Sequence, residues 1–434
     1  MNQSYETIRK RLDSMVVIDT HEHLPPYEHR RDRSVDVLGE YLSHYMSSDL
    51  ISAGLNPDVL EQALDANLPI EQRWLLLEPY WKWCRYTGYG RALDVTVKGV
   101  YGIDGIHRDT VEELNTAFLQ ARNTGKHFHR VLKDLCNIEV SLLDAWCDQD
   151  FFDPSLFRPV WQPAPFITGS YQGHQTMIQW IHEKHDIKVT RLEHWLQAFV
   201  LELEANLRKG TVALKNAMAY ERTLYFDHSV SYGAAKELFT EALEALTSRS
   251  RNESPQFRFP KPLQDYLMHS VLRECNDRGL IMQIHTGLQE GNGNMIHHSD
   301  PTLLSNLLLR YPNVHFDLFH IGYPYQNTVS ALAKNFANVS IDMCWAHIIS
   351  PAACRSALAD YLDAVPYNKI MAFGGDYLFV DAVYGHLEMA KDNVAAVLAA
   401  KVDADVFGLG EALVIAEHLF YENPKRVFRL SGNG

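Results

Sequence analysis

The chain alternates between short apolar runs and longer polar, helix-rich stretches, and this alternation gives the clearest sign of its architecture. Eight such runs read as buried parallel strands: Met15 to His21, Ile138 to Leu143, Arg158 to Ile167, Thr211 to Tyr220, Leu280 to Gly287, Val314 to Gly322, Val339 to Trp345 and Ile370 to Asp376. Three prolines (Pro159, Pro163, Pro165) interrupt the third, which makes it the weakest strand. Eight strands separated by helical segments predict an α/β fold, a (β/α)8 TIM barrel with helical insertions. At 434 residues the chain exceeds the roughly 250 of a bare barrel. The excess fits one barrel over residues 1–434, with a helical insertion at 24–135 between the first two strands.

In such barrels the chemistry gathers at the carboxyl ends of the strands. The first run ends in His21-Glu22-His23, and alternation along a strand puts both imidazoles on one face. A stiff pair of neutral imidazoles suits a borderline divalent cation, with zinc the first choice and Mn, Fe or Co the alternatives. A second His-x-His, His127-Phe128-His129, lies in a helical stretch where residues two apart diverge, so it reads as surface histidines. Further candidates stand at matching strand positions: Lys215 on the fourth run, His285 on the fifth, His320 on the sixth and Asp376 on the eighth.

These residues, in this order, resemble the amidohydrolase superfamily of metal-dependent barrels. Its pattern is His-x-His on strand one, Lys or Glu on strand four, His on strands five and six, and Asp on strand eight. The segments around Ala213-Leu214-Lys215, Tyr220-Glu221-Arg222, His320 to Pro324 and Lys369 to Asp376 are similar to its amidohydrolase-2 branch. The insert holding Arg85-Tyr86-Thr87-Gly88-Tyr89-Gly90-Arg91 resembles the uronate isomerase group. The resemblance implies one or two divalent ions held by His21, His23 and Asp376, with His285, His320 and Lys215 as further ligands or as catalytic groups. Lys215 could bind metal only if carbamylated; unmodified, it would pair with substrate or with Asp376.

The chemistry expected is hydrolysis of a small amide, ester or lactone by a metal-activated water, with Asp376 as general base. Arginine forks bind carboxylates two bonds at a time, so Arg85, Arg91 and Arg222, helped by the hydroxyls of Tyr220 and Tyr323, suggest a carboxylate-bearing substrate. The aromatic stretch Trp74 to Tyr89 reads as a pocket wall or as a packed helix. Two alternatives stay open: aldose–ketose isomerisation of a sugar acid, and a non-catalytic metal-binding barrel.

Bulk properties narrow the partners to a small molecule. The net charge of −14, from 40 basic and 54 acidic residues, argues against nucleic acid and anionic lipid. No apolar stretch reaches the roughly 20 residues of a membrane span, and the polar start lacks a secretory signal, so a cytoplasmic location is expected. Six cysteines without Cys-x-x-Cys spacing read as reduced thiols. A homo-oligomer is compatible with all of this.

Overall fold

The computed structural model describes residues 3–32, 34–144, 151–170, 176–248 and 257–430. Its centre is one parallel sheet of eight strands in sequential order: β1 (Val17–Glu22), β2 (Ile138–Leu143), β3 (Phe157–Trp161), β4 (Ala213–Asn216), β5 (Ile281–Ile284), β6 (His315–Leu318), β7 (Val339–Asp342) and β8 (Ile370–Met371). The segment after β8 returns to β1, with Thr20 N donating to Phe373 O at 3.0 Å, Asp376 N to His21 O at 2.8 Å and His23 N to Tyr377 O at 3.1 Å. The expected barrel is therefore what forms, and its seam lies between the first and last strands.

Several runs are shorter as strands than their composition suggests; β8, for example, spans only Ile370–Met371 of the run expected to reach Asp376. The third ends as a strand at Trp161, and Ala164–Thr168 is helical, because Pro163 and Pro165 supply preset φ angles and need no ladder donor at a helix start. The fourth ends at Asn216, and Met218–Tyr220 turns as a 3-10 helix.

Inside the barrel the side chains stack by alternation along each strand. Leu142, Val160, Ala213, Ile281 and Met371 form an apolar cluster with Val427 and Phe428. One pleat further along β4 and β5 stand Lys215 and Gln283, and the buried carboxylates Asp19, Asp317 and Asp342 share this interior. Burial pushes Asp19 up to about 6 and Asp342 to about 7, so this layer carries less negative charge than its composition implies.

Between β1 and β2 lies a run of helices that includes Val37–Tyr41, Tyr45–Ser52, Ile70–Cys84, Gly88–Thr96 and Val111–Arg122. Buried polar contacts fasten it to the barrel. Asp381, at the start of the helix Asp381–Asp403, accepts from Tyr41 Oη at 2.9 Å and Tyr101 Oη at 2.7 Å, and pairs with His127 Nε2. This corrects the surface reading of His127: the ring is fully buried against a carboxylate, while His129 two residues on is exposed. Helical divergence separated the two rings as expected, but one of them faces inward.

The packed-helix reading fits the aromatic stretch, since Trp74 and Trp81 meet edge to face at 5.8 Å inside the insertion. No helix among the described residues is long and apolar enough to cross a membrane.

Candidate active site

At the carboxyl ends of the strands, polar atoms converge from positions far apart in sequence. His21 Nε2 and His23 Nε2 are 3.2 Å apart, and each lies 3.3 Å from Asp376 Oδ1. His320 Nε2 lies 3.8 Å from Asp376 Oδ2 and 3.0 Å from His285 Nδ1. Lys215 Nζ is 3.1 Å from His21 Nε2 and 3.9 Å from the centre of the Phe319 ring. The structure thus brings together His21, His23, Lys215, His285, His320 and Asp376 in one cluster.

Backbone carbonyls dictate how these rings are protonated. A carbonyl oxygen only accepts, so the ring nitrogen facing it carries the proton and the other offers a lone pair. His23 Nδ1 faces Asp144 O at 2.7 Å, His320 Nδ1 faces Cys344 O at 2.9 Å, and His285 Nε2 faces Leu288 O at 2.8 Å. The remaining nitrogens of His285 and His320 therefore point lone pair at lone pair across 3.0 Å, and that of His23 points at His21. Burial holds His285 down at about 3 and His21 at about 4, and drives His320 well below its ordinary value. Protons are thus withheld from these rings, and converging lone pairs beside a carboxylate call for a cation. The Lys215 ammonium can only donate to His21 Nε2, so that ring carries its proton on Nδ1, which is buried without a partner among the described residues.

Asp376 is buried, which alone would raise its pKa, but His21, His23 and His320 outweigh the burial and hold it well below the usual carboxylate range. It is ionised at any ordinary pH. Burial lowers Lys215, as it lowers the neighbouring imidazoles of His21 and His285.

The backbone is strained where these groups are presented. His320, Trp345 and Asp376, following β6, β7 and β8, all adopt positive φ, of 66°, 62° and 58°. Non-glycine residues in this region store energy that the surrounding structure must supply, and they concentrate at working sites. Gly375 is required next to Asp376, since a Cβ there would lie 1.7 Å from Glu22 Oε1. Glu22 is itself buried and accepts from Tyr377 N at 2.9 Å.

Over this cluster opens a cavity of about 540 Å³, whose wall includes Trp161, Phe166, Trp180, Tyr220, His44 and Glu290. The Tyr220 ring meets His285 edge-on at 4.8 Å. The other residues expected to bind substrate are not among the lining. Arg85 pairs with Asp94 at 3.3 Å, Arg91 is exposed, Arg222 is held by Asp265, Gln264 and Tyr225 O, and Tyr323 is half-buried with its backbone oxygen accepting from Leu288 N.

Asp144, Tyr45 and Glu290 escaped the sequence reading. Asp144 follows β2 at a strand end, and its carboxylate groups with His21 and His23 as a potential ligand set; its position after Leu143 was the available signal. Tyr45 donates to Asp376 O, and its ring packs nearly parallel to those of Tyr89 and Trp345, at 5.2 and 4.7 Å. Cys344, His320 and Asp376 form a second potential ligand group. Nothing in the local sequence marks Tyr45 or Glu290.

Residues 247–430, carrying β5 to β8, match the family model described as amidohydrolase. Over this segment, less than half of the chain, the protein is similar to the amidohydrolase superfamily. Members of this superfamily are generally metal-dependent, and the imidazole and carboxylate donors here are of the type such ions take. Among solved structures, the chain is similar in fold to the uronate isomerase of Thermotoga maritima (TM-score 0.77, 15% identity, 99% of this chain and 98% of that one). It is also similar to the glucuronate isomerase of Caulobacter crescentus (TM-score 0.75, 17% identity, 99% and 95%). A Lactobacillus casei protein described as a metal-dependent hydrolase shares the fold as well (TM-score 0.65, 15% identity, 97% of each). A curated relative, protein fluG of Emericella nidulans, is 26% identical over 177 residues, which are 39% of this chain. The match spans 20% of that protein's length.

Proposed function

We propose that this protein is a metal-dependent hydrolase, of the amidohydrolase kind, that acts on a small amide, ester or lactone. The observation that carries the reading is the meeting of His21 Nε2, His23 Nε2 and Asp376 Oδ1 within 3.3 Å of one another on the floor of the cavity. His21, His23 and Asp376 would hold the first ion, and the His285–His320 pair faces the same space. The bound cation would supply Lewis-acid polarisation of an oxygen presented to it.

The remaining work falls to the chain's own groups. Asp376, ionised and within reach of three imidazoles, takes the proton from the attacking water and delivers it to the leaving group. His285 and His320, kept neutral by burial, orient the carbonyl oxygen. Lys215 contributes a fixed positive charge beneath the reacting centre, and Tyr220 closes the cavity over His285. Hydrolysis is favoured over isomerisation of a sugar acid because no arginine lines the cavity among the described residues.

The test is turnover in ¹⁸O-labelled water, on protein whose metal content is measured in the same sample, across amides, esters, lactones and uronates. Hydrolysis places one labelled oxygen in the acid product. A product of unchanged mass, carrying solvent deuterium on carbon in heavy water, would replace this reading with the isomerase.

A further inference from the structure

The cavity wall bears negative charge that its neighbours do not fully compensate. Glu202 is paired with Lys184 at 3.1 Å and His185 at 3.0 Å, and Glu221 with Arg258 at 2.8 Å. Glu290 differs from both. It is half-buried, it lines the cavity, and among the described residues its carboxylate has no ion-pair partner. Burial, followed by the charge of Asp376, raises its pKa, the direction expected of a carboxylate lacking a cation.

The segment carrying Glu290 is held in place. Glu290 N donates to Tyr220 Oη at 3.0 Å, Glu290 O accepts from Asn294 Nδ2 at 2.9 Å, Gln289 Nε2 donates to Ala219 O at 3.1 Å, and Leu288 N donates to Tyr323 O at 2.6 Å. A ligand meeting this carboxylate would not have to order a loop first, so the contact carries little entropic cost.

Two further features of the wall suit the same ligand. Trp161, Phe166 and Trp180 line the same cavity, and the Trp180 ring already holds one ammonium, that of Lys184 at 4.8 Å, as aromatic faces attract cations. His44 also lines the cavity; burial holds it neutral at about 3, and its Nδ1 is buried without a partner among the described residues. Among the described lining residues Lys215 alone carries an ammonium or guanidinium, and it sits at the floor beside His21.

We propose, building on the hydrolase reading, that the substrate carries a protonated amine at the end remote from its reacting carbonyl, and that Glu290 pairs with that amine. A carboxylate tail in the same place would be stripped of water opposite a like charge, so the wall selects against acids while it selects for amines.

Binding tests this apart from turnover. Metal-loaded protein is titrated calorimetrically with butylammonium, 1-butanol and butyrate. Butylammonium should bind about tenfold tighter than 1-butanol, with butyrate weakest. Glu290→Gln should abolish the preference for the amine while leaving metal content and the affinity for 1-butanol unchanged. The proposal is overturned if butyrate matches butylammonium, if no probe is preferred, or if Glu290→Gln keeps the amine preference. Absence of ¹⁸O transfer would instead overturn the hydrolase reading while amine selectivity persisted.

Discussion

At the scale of single residues the centre is governed by where protons cannot go. Backbone carbonyls fix the tautomers of His23, His285 and His320, and burial keeps the last two neutral, so their lone pairs and the Asp376 carboxylate are left facing one another. Asp376→Asn keeps the shape but removes both the charge and the proton acceptor. It should lower kcat by at least about 100-fold, the low end of general-base contributions, with the circular dichroism spectrum unchanged. An Asn variant within threefold of the parent rate would exclude Asp376 from proton transfer. His21, His23, His285, His320 and Asp376 were legible in the sequence because each sits where an apolar run stops, and such positions face the mouth of a barrel. Asp144 stands at an equivalent place and could have been read the same way. Glu290 and Tyr45 could not, since their roles depend on which helix or loop folds over the mouth, and no local periodicity records that.

At the scale of elements, the glycines of the Thr87-Gly88-Tyr89-Gly90 segment explain why the insertion fits. Helix Gly88–Thr96, capped by Thr87, passes so close to the residues after β7 that a Cβ on Gly88 would lie 1.9 Å from Ile348 O. Gly90 is equally confined, 2.4 Å from Cys84 O. This approach sets Tyr89 against Tyr45 and thereby connects the insertion to the backbone of Asp376. Gly88→Ala must push backbone from backbone. It should cost about 3 kcal/mol, the upper end for overpacking, read as a lower urea midpoint at unchanged slope. A wild-type midpoint would mean that the two segments part without penalty. The strands themselves were legible because buried parallel strands are continuously apolar. The short ends of β3 and β4 were not, since the run of apolar residues continues into helical turns, and composition alone does not distinguish the two.

At the scale of the whole molecule, several histidines are buried without a carboxylate to charge them. Burial brings His347 down to about 4 and His386 to about 3; each makes a single carbonyl contact, to Ala372 O at 2.7 Å and Gly375 O at 3.0 Å. Their folded pKa values lie below the ordinary 6.5, so on acidification the unfolded chain takes up protons that the native one refuses. Stability should therefore fall as pH drops from about 6.5 towards 4. By pH 5 each ring should contribute a loss of about 2 kcal/mol. Urea unfolding at pH 7 and pH 5 measures this, and His386→Gln should narrow the difference. An equal or higher midpoint at pH 5 would contradict it.

The seam of the barrel has one more consequence. His21 and His23 stand at one margin of the sheet and Asp376 at the other, joined by only a few backbone hydrogen bonds. An ion gripped by all three would act as a clasp between the chain's first strand and its last. Maturation of such a protein would end with loading rather than with folding, and a molecule starved of metal would be loosest where its two ends meet.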